Sequence, residues 1–226
     1  MKRNARDPGP PFPGASSPGT SSSRLPPTGK PPSATTTYAI IGVLVALLLL
    51  GTGTVLWLSG TNPVRSMIGG PFTLVDGDGR TVTERDFRGK FMLVYFGYTF
   101  CPDVCPTTLN TVSDALDRLG AKADRIQPLF ITVDPARDTP QVVKQYAAAF
   151  GPRVKGLTGT QAQIEGAARA YRVYYKQHRT GSGPNDYSMD HSSVLYLMGP
   201  DGAFLTPIRA EQSGEEMAAI LGKLVN

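Results

Sequence analysis

The chain is poor in sulfur and imidazole. Its 226 residues include two cysteines and two histidines. Both cysteines, Cys101 and Cys105, fall inside "GYTFCPDVCPTTL", and each precedes a proline. A disulfide closing so short a loop would restrict the unfolded chain by only about 2 kcal/mol. A domain of this length can build its core without that help, so a purely structural brace is a poor use of the pair. Basic excess is also missing where it would matter. Residues 1–37 hold five basic residues (Lys2, Arg3, Arg6, Arg24, Lys30) and one acid (Asp7), which leaves 18 basic and 17 acidic residues for the rest of the +5 chain. A near-neutral folded part argues against nucleic acid as a partner. No internal repeat is visible.

Charge is wholly absent from residues 38–58, "YAIIGVLVALLLLGTGTVLWL". As a helix this run reaches about 31 Å, enough for a hydrocarbon core of about 30 Å. Tyr38 and Trp57 stand at its ends, where amphipathic rings favour the headgroup level. A cleaved signal peptide would have a shorter apolar core and a small-residue cleavage site; "SGTNPVRSM" offers no convincing one. The expectation is a single transmembrane anchor over 38–58. Arg24 and Lys30 before it place the N-terminus in the cytoplasm, with the larger C-terminal part across the membrane, where disulfides can form. Residues 1–37 contain nine Pro, four Gly and six Ser and read as a disordered cytoplasmic tail. Residues 59–70 read as a linker, and 71–226 as one folded domain. The tail's prolines argue against a mitochondrial transit helix, so the expected location is a bacterial inner membrane with a periplasmic domain.

Within the domain, "FTLVDGDGRTVTERDF" predicts a hairpin turning at Asp76–Gly79. "KFMLVYFGY" and "IQPLFITVD" are the near-continuous apolar runs of strands buried on both faces. Leu109, Val112, Leu116 and Leu119 share a helical face, and Gly120 is a stop signal. Thr139 and Pro140 open a second helix, "TQAQIEGAARAY" gives a third, and "GEEMAAILGKLV" a last. "RVYYKQH" and "SVLYLMGPDGAFL" give strands, the latter turning at Asp201–Gly202. Strands alternating with helices, then a hairpin and a final helix, predict an α/β sandwich with a mixed sheet.

The residue before a proline is pushed out of the α region. Cys101 and Cys105 are therefore expected in turn or extended backbone, with Pro106 opening a helix and Cys105 near its N-cap, where the dipole lowers a thiol's pKa. Two such thiols at the carboxyl end of a buried strand suit a redox pair or a soft-metal clamp. C-x3-C is not the C-x-x-C of thioredoxins, and it leaves both uses open. Of the histidines, His178 reads as a solvated surface residue. His191 precedes a hydrophobic strand; if that strand runs antiparallel to the buried pair, His191 meets the cysteine loop. Asp134, in "ITVDPARDTP", lies on the same edge. It reads as turn chemistry, with Asp138 or Thr139 capping the next helix, and also as a group supporting the thiols.

The motifs "FGYTFCPDVCPTTL", "ITVDPARDTPQVV" and "DHSSVLYLMGPDG", in that order, resemble the Sco/SenC family of membrane-anchored copper chaperones. The likeness runs from about residue 68 to 224. It implies a thioredoxin-like fold, a three-layer sandwich behind one transmembrane helix. It implies that Cys101, Cys105 and His191 bind one copper ion, as Cu(I) or Cu(II), with Asp134 in support. The implied partner is the copper-bearing subunit of cytochrome c oxidase, receiving copper, thiol reduction or both. Other copper carriers and thiol reductants are further expected partners. The residues agree with this: thiolate suits Cu(I) and imidazole also suits Cu(II), whereas structural zinc wants four closed ligands. Oxidation of Cys101 and Cys105 to a disulfide would release the ion. Two other readings use the same thiols, a thiol–disulfide oxidoreductase and a peroxidase with Thr99 before Cys101.

Overall fold

The structure is a computed structural model that describes residues 34–59 and 68–225, with side chains of the first helix described at positions 38–54. The expected tail falls outside these residues up to position 33, as does most of the expected linker and the side chain of Trp57. The chain divides into two compact units between Ser59 and Gly60.

The first unit is helix α1, Ala34–Ser59. Its described side chains are all exposed, among them Tyr38, Leu48 and Leu49. Thr52 and Thr54 turn their hydroxyls back onto the carbonyls of Leu48 and Leu50, at 2.6 Å each. That hides the polar groups of an otherwise apolar helix against its own backbone. Among the described residues no helix is long and apolar enough to cross a membrane.

The second unit is built on a seven-stranded mixed sheet. Its strands are β1 (Thr73–Asp76), β2 (Thr81–Thr83), β3 (Phe91–Gly97), β4 (Ile126–Thr132), β5 (Lys155–Thr158), β8 (Val194–Met198) and β9 (Phe204–Arg209), ordered β2-β1-β5-β4-β3-β8-β9. The β3–β4 and β4–β5 pairs are parallel, and β8 runs antiparallel to β3. β6 (Tyr175–Arg179) and β7 (Tyr187–His191) form a separate two-stranded hairpin. The apolar run at β3 is buried at every position, as expected for a central strand.

Alternation along β3 assigns the helices to two faces. Tyr95 looks toward α2 (Val104–Leu119) through Cys105, and toward Phe130, which packs on Tyr146 of α3 (Pro140–Ala148). Phe96 looks the other way, onto Tyr171 of α4 (Gln161–Tyr171) at 5.4 Å between ring centres. α5 (Gly214–Leu224) lies beside α2. Helices on both faces of a mixed sheet give the three-layer, thioredoxin-like arrangement.

Local signals act as their chemistry dictates. Gly120 ends α2 at φ 56°, in the region that L side chains avoid. Thr139 accepts from the Val142 amide with Pro140 at the first helical position. Thr160 and Ser213 each form a reciprocal capping box. One expectation fails. α2 begins at Val104, so Cys105 lies inside its first turn rather than before it, and Pro106 stands at the third helical position rather than the first. The first amides of a helix have no intrahelical acceptor, so Pro106 loses no hydrogen bond there, and Cys105 adopts helical backbone despite the proline after it.

Candidate metal centre

Three segments meet at the carboxyl ends of β3 and β4. The loop after β3 carries Cys101, and the first turn of α2 carries Cys105. The antiparallel course of β8 brings the preceding strand, β7, to the same edge with His191 at its end. The two sulfurs and one imidazole nitrogen lie within 4.8 Å of one another. His191 Nε2 stands 3.4 Å from Cys105 Sγ, and the Cys105 amide donates to Cys101 Sγ at 3.4 Å. Among the described residues this is the one group of three such side chains able to share an ion. His178 takes no part. It pairs with Asp190 at 2.8 Å on the outer side of the hairpin, half-exposed.

Packing sets the geometry. Cys105 is fully buried, with the Tyr95 hydroxyl 3.7 Å from its sulfur. Its sulfur occupies the space beside Gly97, where a Cβ would come to 2.7 Å of Sγ and 2.9 Å of the Phe130 ring. Glycine at 97 is thus a steric condition for the site. The His191 ring sits edge-on to Tyr95 and Tyr98, at 6.1 and 5.9 Å between centres. Its Nδ1 lies 3.2 Å from the Ser192 carbonyl. A carbonyl can only accept, so this contact places the proton on Nδ1 and leaves the Nε2 lone pair facing the sulfurs. Cys101 is partly exposed on a cleft of about 390 Å³ that Asp103, Met189 and His191 also line.

The thiols are not equivalent. The Cys105 thiol donates to Cys101, and with the nearby amides of Cys105 and Asp103 it holds the Cys101 pKa far below the ordinary thiol value. Cys105 is pushed up, first because it serves as that donor and second by burial. The lowering expected of Cys105 at the helix terminus does not occur: its donor role and its burial outweigh the dipole, and the lowered thiol is Cys101. Bonds of about 2.3 Å to sulfur and 2.0–2.1 Å to nitrogen, on the gauge of zinc, put co-ligands under about 4.6 Å apart. The three donor atoms thus already stand near the spacing that a shared ion needs. A thiolate–thiolate–imidazole set suits a soft ion, copper above zinc.

Asp134 is buried, and its carboxylate faces Arg137 and the Tyr187 hydroxyl (2.8 Å) rather than the sulfurs. Asp138 has more to do than capping logic suggests. Thr139 supplies the cap, while the buried Asp138 accepts from the Thr99 amide (3.0 Å) and hydroxyl (2.6 Å) and the Thr132 hydroxyl (2.5 Å). It pins the cysteine loop to the end of β4. Arg137 was not singled out by motif reasoning. Its Nη1 donates to the carbonyls of Asn185 (3.2 Å) and Tyr187 (3.0 Å) on the hairpin. Neither role is visible without knowing which loops converge.

A C-x3-C pair facing a histidine across the edge of a thioredoxin-like sheet defines a class: thioredoxin-fold proteins built to hold a soft ion on two sulfurs and one nitrogen. Comparison with known proteins narrows the class. The SCO1/SenC family model matches residues 61–226, and the chain belongs to that family. Protein sco1 of Schizosaccharomyces pombe is 41% identical over 160 residues, covering 70% of this chain and 61% of that protein. The chain thus spans under two thirds of that relative. The structure of Bradyrhizobium japonicum ScoI with copper bound matches at 45% identity and TM-score 0.63, covering 69% of this chain and 98% of that one. BsSco, a member of the Sco family of cytochrome c oxidase assembly proteins in which a disulfide switch was identified, matches at 25% identity and TM-score 0.55, over 70% of this chain and 93% of that one.

Proposed function

We propose that this chain is a copper-binding assembly factor for cytochrome c oxidase. Cys101, Cys105 and His191 hold one copper ion, as Cu(I) or Cu(II), and pass it to the oxidase's copper-bearing subunit. The observation that carries the reading is the convergence of two sulfurs and one imidazole nitrogen within 4.8 Å. Membership of a family with a copper-bound ScoI and an oxidase assembly protein supports the cargo and the client. Three ligands leave an open position for an incoming thiol, as a carrier needs. Asp134 supports the site through Arg137 and Tyr187. Residues 38–58 anchor the chain in a bacterial inner membrane with residues 71–226 in the periplasm. The charge-free run and the exposed apolar side chains of α1 support this.

A second reading rests on the unequal thiols. A partly exposed, activated Cys101 beside a buried Cys105 protonated at neutral pH is how a dithiol reductase arranges attacking and resolving sulfurs. His191→Ala separates the two. For a copper carrier it abolishes stoichiometric Cu(II) binding and spares much of the Cu(I) binding, read by equilibrium metal competition. For a pure reductase it leaves disulfide reduction of a partner peptide intact while the wild type binds no copper. A variant that keeps full Cu(II) affinity would sink the proposed ligand set.

A further inference from the structure

We infer that Arg137 is the positioning residue for His191: it sets where the imidazole stands relative to the two sulfurs without touching the ion. The inference deepens the copper-binding reading and rests on it.

The Arg137 side chain is 7% exposed and forms an ion pair with Asp134, itself 4% exposed. Its planar fork is divided. Nε goes to Asp134, and Nη1 bridges the carbonyls of Asn185 and Tyr187. The guanidinium lies flat against Tyr187, 3.6 Å from the ring centre, and also meets Phe100 (4.6 Å) and Tyr98 (5.8 Å). Tyr187 returns a hydroxyl to Asp134 at 2.8 Å. One cation therefore joins the loop after β4, the start of β7, and two aromatic residues that flank the cysteines.

Two routes lead from it to the imidazole. Along β7, Tyr187, Met189 and His191 occupy alternate positions and share one face. Clamping the strand at Tyr187 fixes its rotation, and with it the direction of the His191 side chain. Through the cysteine loop, Tyr98 contacts Arg137 and stands edge-on to the His191 ring. Among the described residues the hairpin has no strand partner in the main sheet, so this clamp supplies a tie that sheet hydrogen bonds supply elsewhere.

Stability alone does not account for the residue. Arg137 Nη2 is buried without a hydrogen-bond partner among the described residues, a condition that costs free energy. A lysine would keep the ion pair with Asp134 without the unpaired fork arm. What lysine cannot do is hold two carbonyls and a carboxylate in one plane while stacking on Tyr187. The fold tolerates the cost where the planar geometry serves the site.

The test uses the full chain with Arg137→Lys, alone and combined with His191→Ala. Arg137→Lys should lower Cu(II) affinity by roughly 10–100-fold, as loss of an outer support does. It should shift the copper–thiolate absorption and the electron paramagnetic resonance parameters. Cu(I) affinity should fall by less than about threefold, because two thiolates suffice for the softer ion. In the His191→Ala background the lysine should have no further effect on Cu(I). In the metal-free protein the His191 ring resonances should shift or broaden. Equal Cu(I) losses with and without His191 would overturn the inference, as would unchanged ring resonances. A wild type that binds no copper would overturn the function instead, while the metal-free spectra still judge Arg137. If Arg137→Lys fails to fold, Tyr187→Phe removes one arm of the clamp. It should move the same ring resonances in the same direction by less, and their constancy would overturn the inference.

Discussion

Cys101 and Cys105 are the same residue type four positions apart, and their surroundings give them opposite acidities. Cys101 receives hydrogen bonds from its partner thiol and backbone amides, so its thiolate is favoured. Cys105 supplies one of those bonds from a buried position and keeps its proton. At neutral pH the pair then carries one proton, on Cys105. Iodoacetamide should label Cys101 ahead of Cys105 and should keep doing so at pH about 6, where an ordinary thiol of pKa about 8.5 is mostly protonated. Peptide mass spectrometry reads the ratio; equal labelling, or labelling that rises only above pH about 8, would refute the assignment. Loading an ion must expel the Cys105 proton. Apparent affinity should therefore rise about tenfold per pH unit while Cys105 stays protonated in the free protein. The two sulfurs were legible in the sequence as a reactive pair. Their asymmetry was not, because it depends on a helix that starts two residues earlier than the Cys-Pro rule suggests and thereby buries one of them.

At the scale of elements, legibility followed the range of the interaction. β3 and β4 show as apolar runs, and the caps at Thr139 and Thr160 show as local chemistry, since each signal is complete within a few residues. β7 does not show. Tyr187–His191 mixes polar and apolar residues after the glycine-rich stretch at 180–186, and among the described residues its only strand partner is β6. It is the strand that delivers His191, whose place was foreseen only through the direction of β8. Asp138 is a second example, because its partners Thr99 and Thr132 come from two other segments. Asp138→Ala would leave the buried Thr132 hydroxyl proton and the Thr99 amide without an acceptor and cost about 1–3 kcal/mol. A melting temperature lower by several degrees is the expected outcome, at about 2–4 °C per kcal/mol for a domain of this size. The variant should also label faster at Cys101, since Thr99 no longer ties down the loop. An unchanged melting curve would show that the carboxylate is not the pin.

For the whole second unit, the core and the site are divided between two kinds of construction. The seven-stranded sheet holds its interior through Tyr95, Phe96, Phe130 and Tyr171, all fully buried. β3, β4 and the foot of α2 belong to that frame, so the sulfurs inherit its rigidity. Among the described residues the strands β6 and β7 pair only with each other and reach that frame through the Arg137 side chain, so the nitrogen inherits less of it. A bound ion thus has two anchors on bedrock and one on a jetty. On the proposed copper-carrier reading the jetty would yield first, which gives unloading a sequence: nitrogen would let go, the coordination gap would widen on the solvent side, and an incoming ligand would enter before either sulfur parts. Rapid-freeze spectra of the Cu(II) protein taken with a competing non-reducing chelator should lose the nitrogen hyperfine coupling ahead of the copper–thiolate absorption, and the reverse order would rule this sequence out.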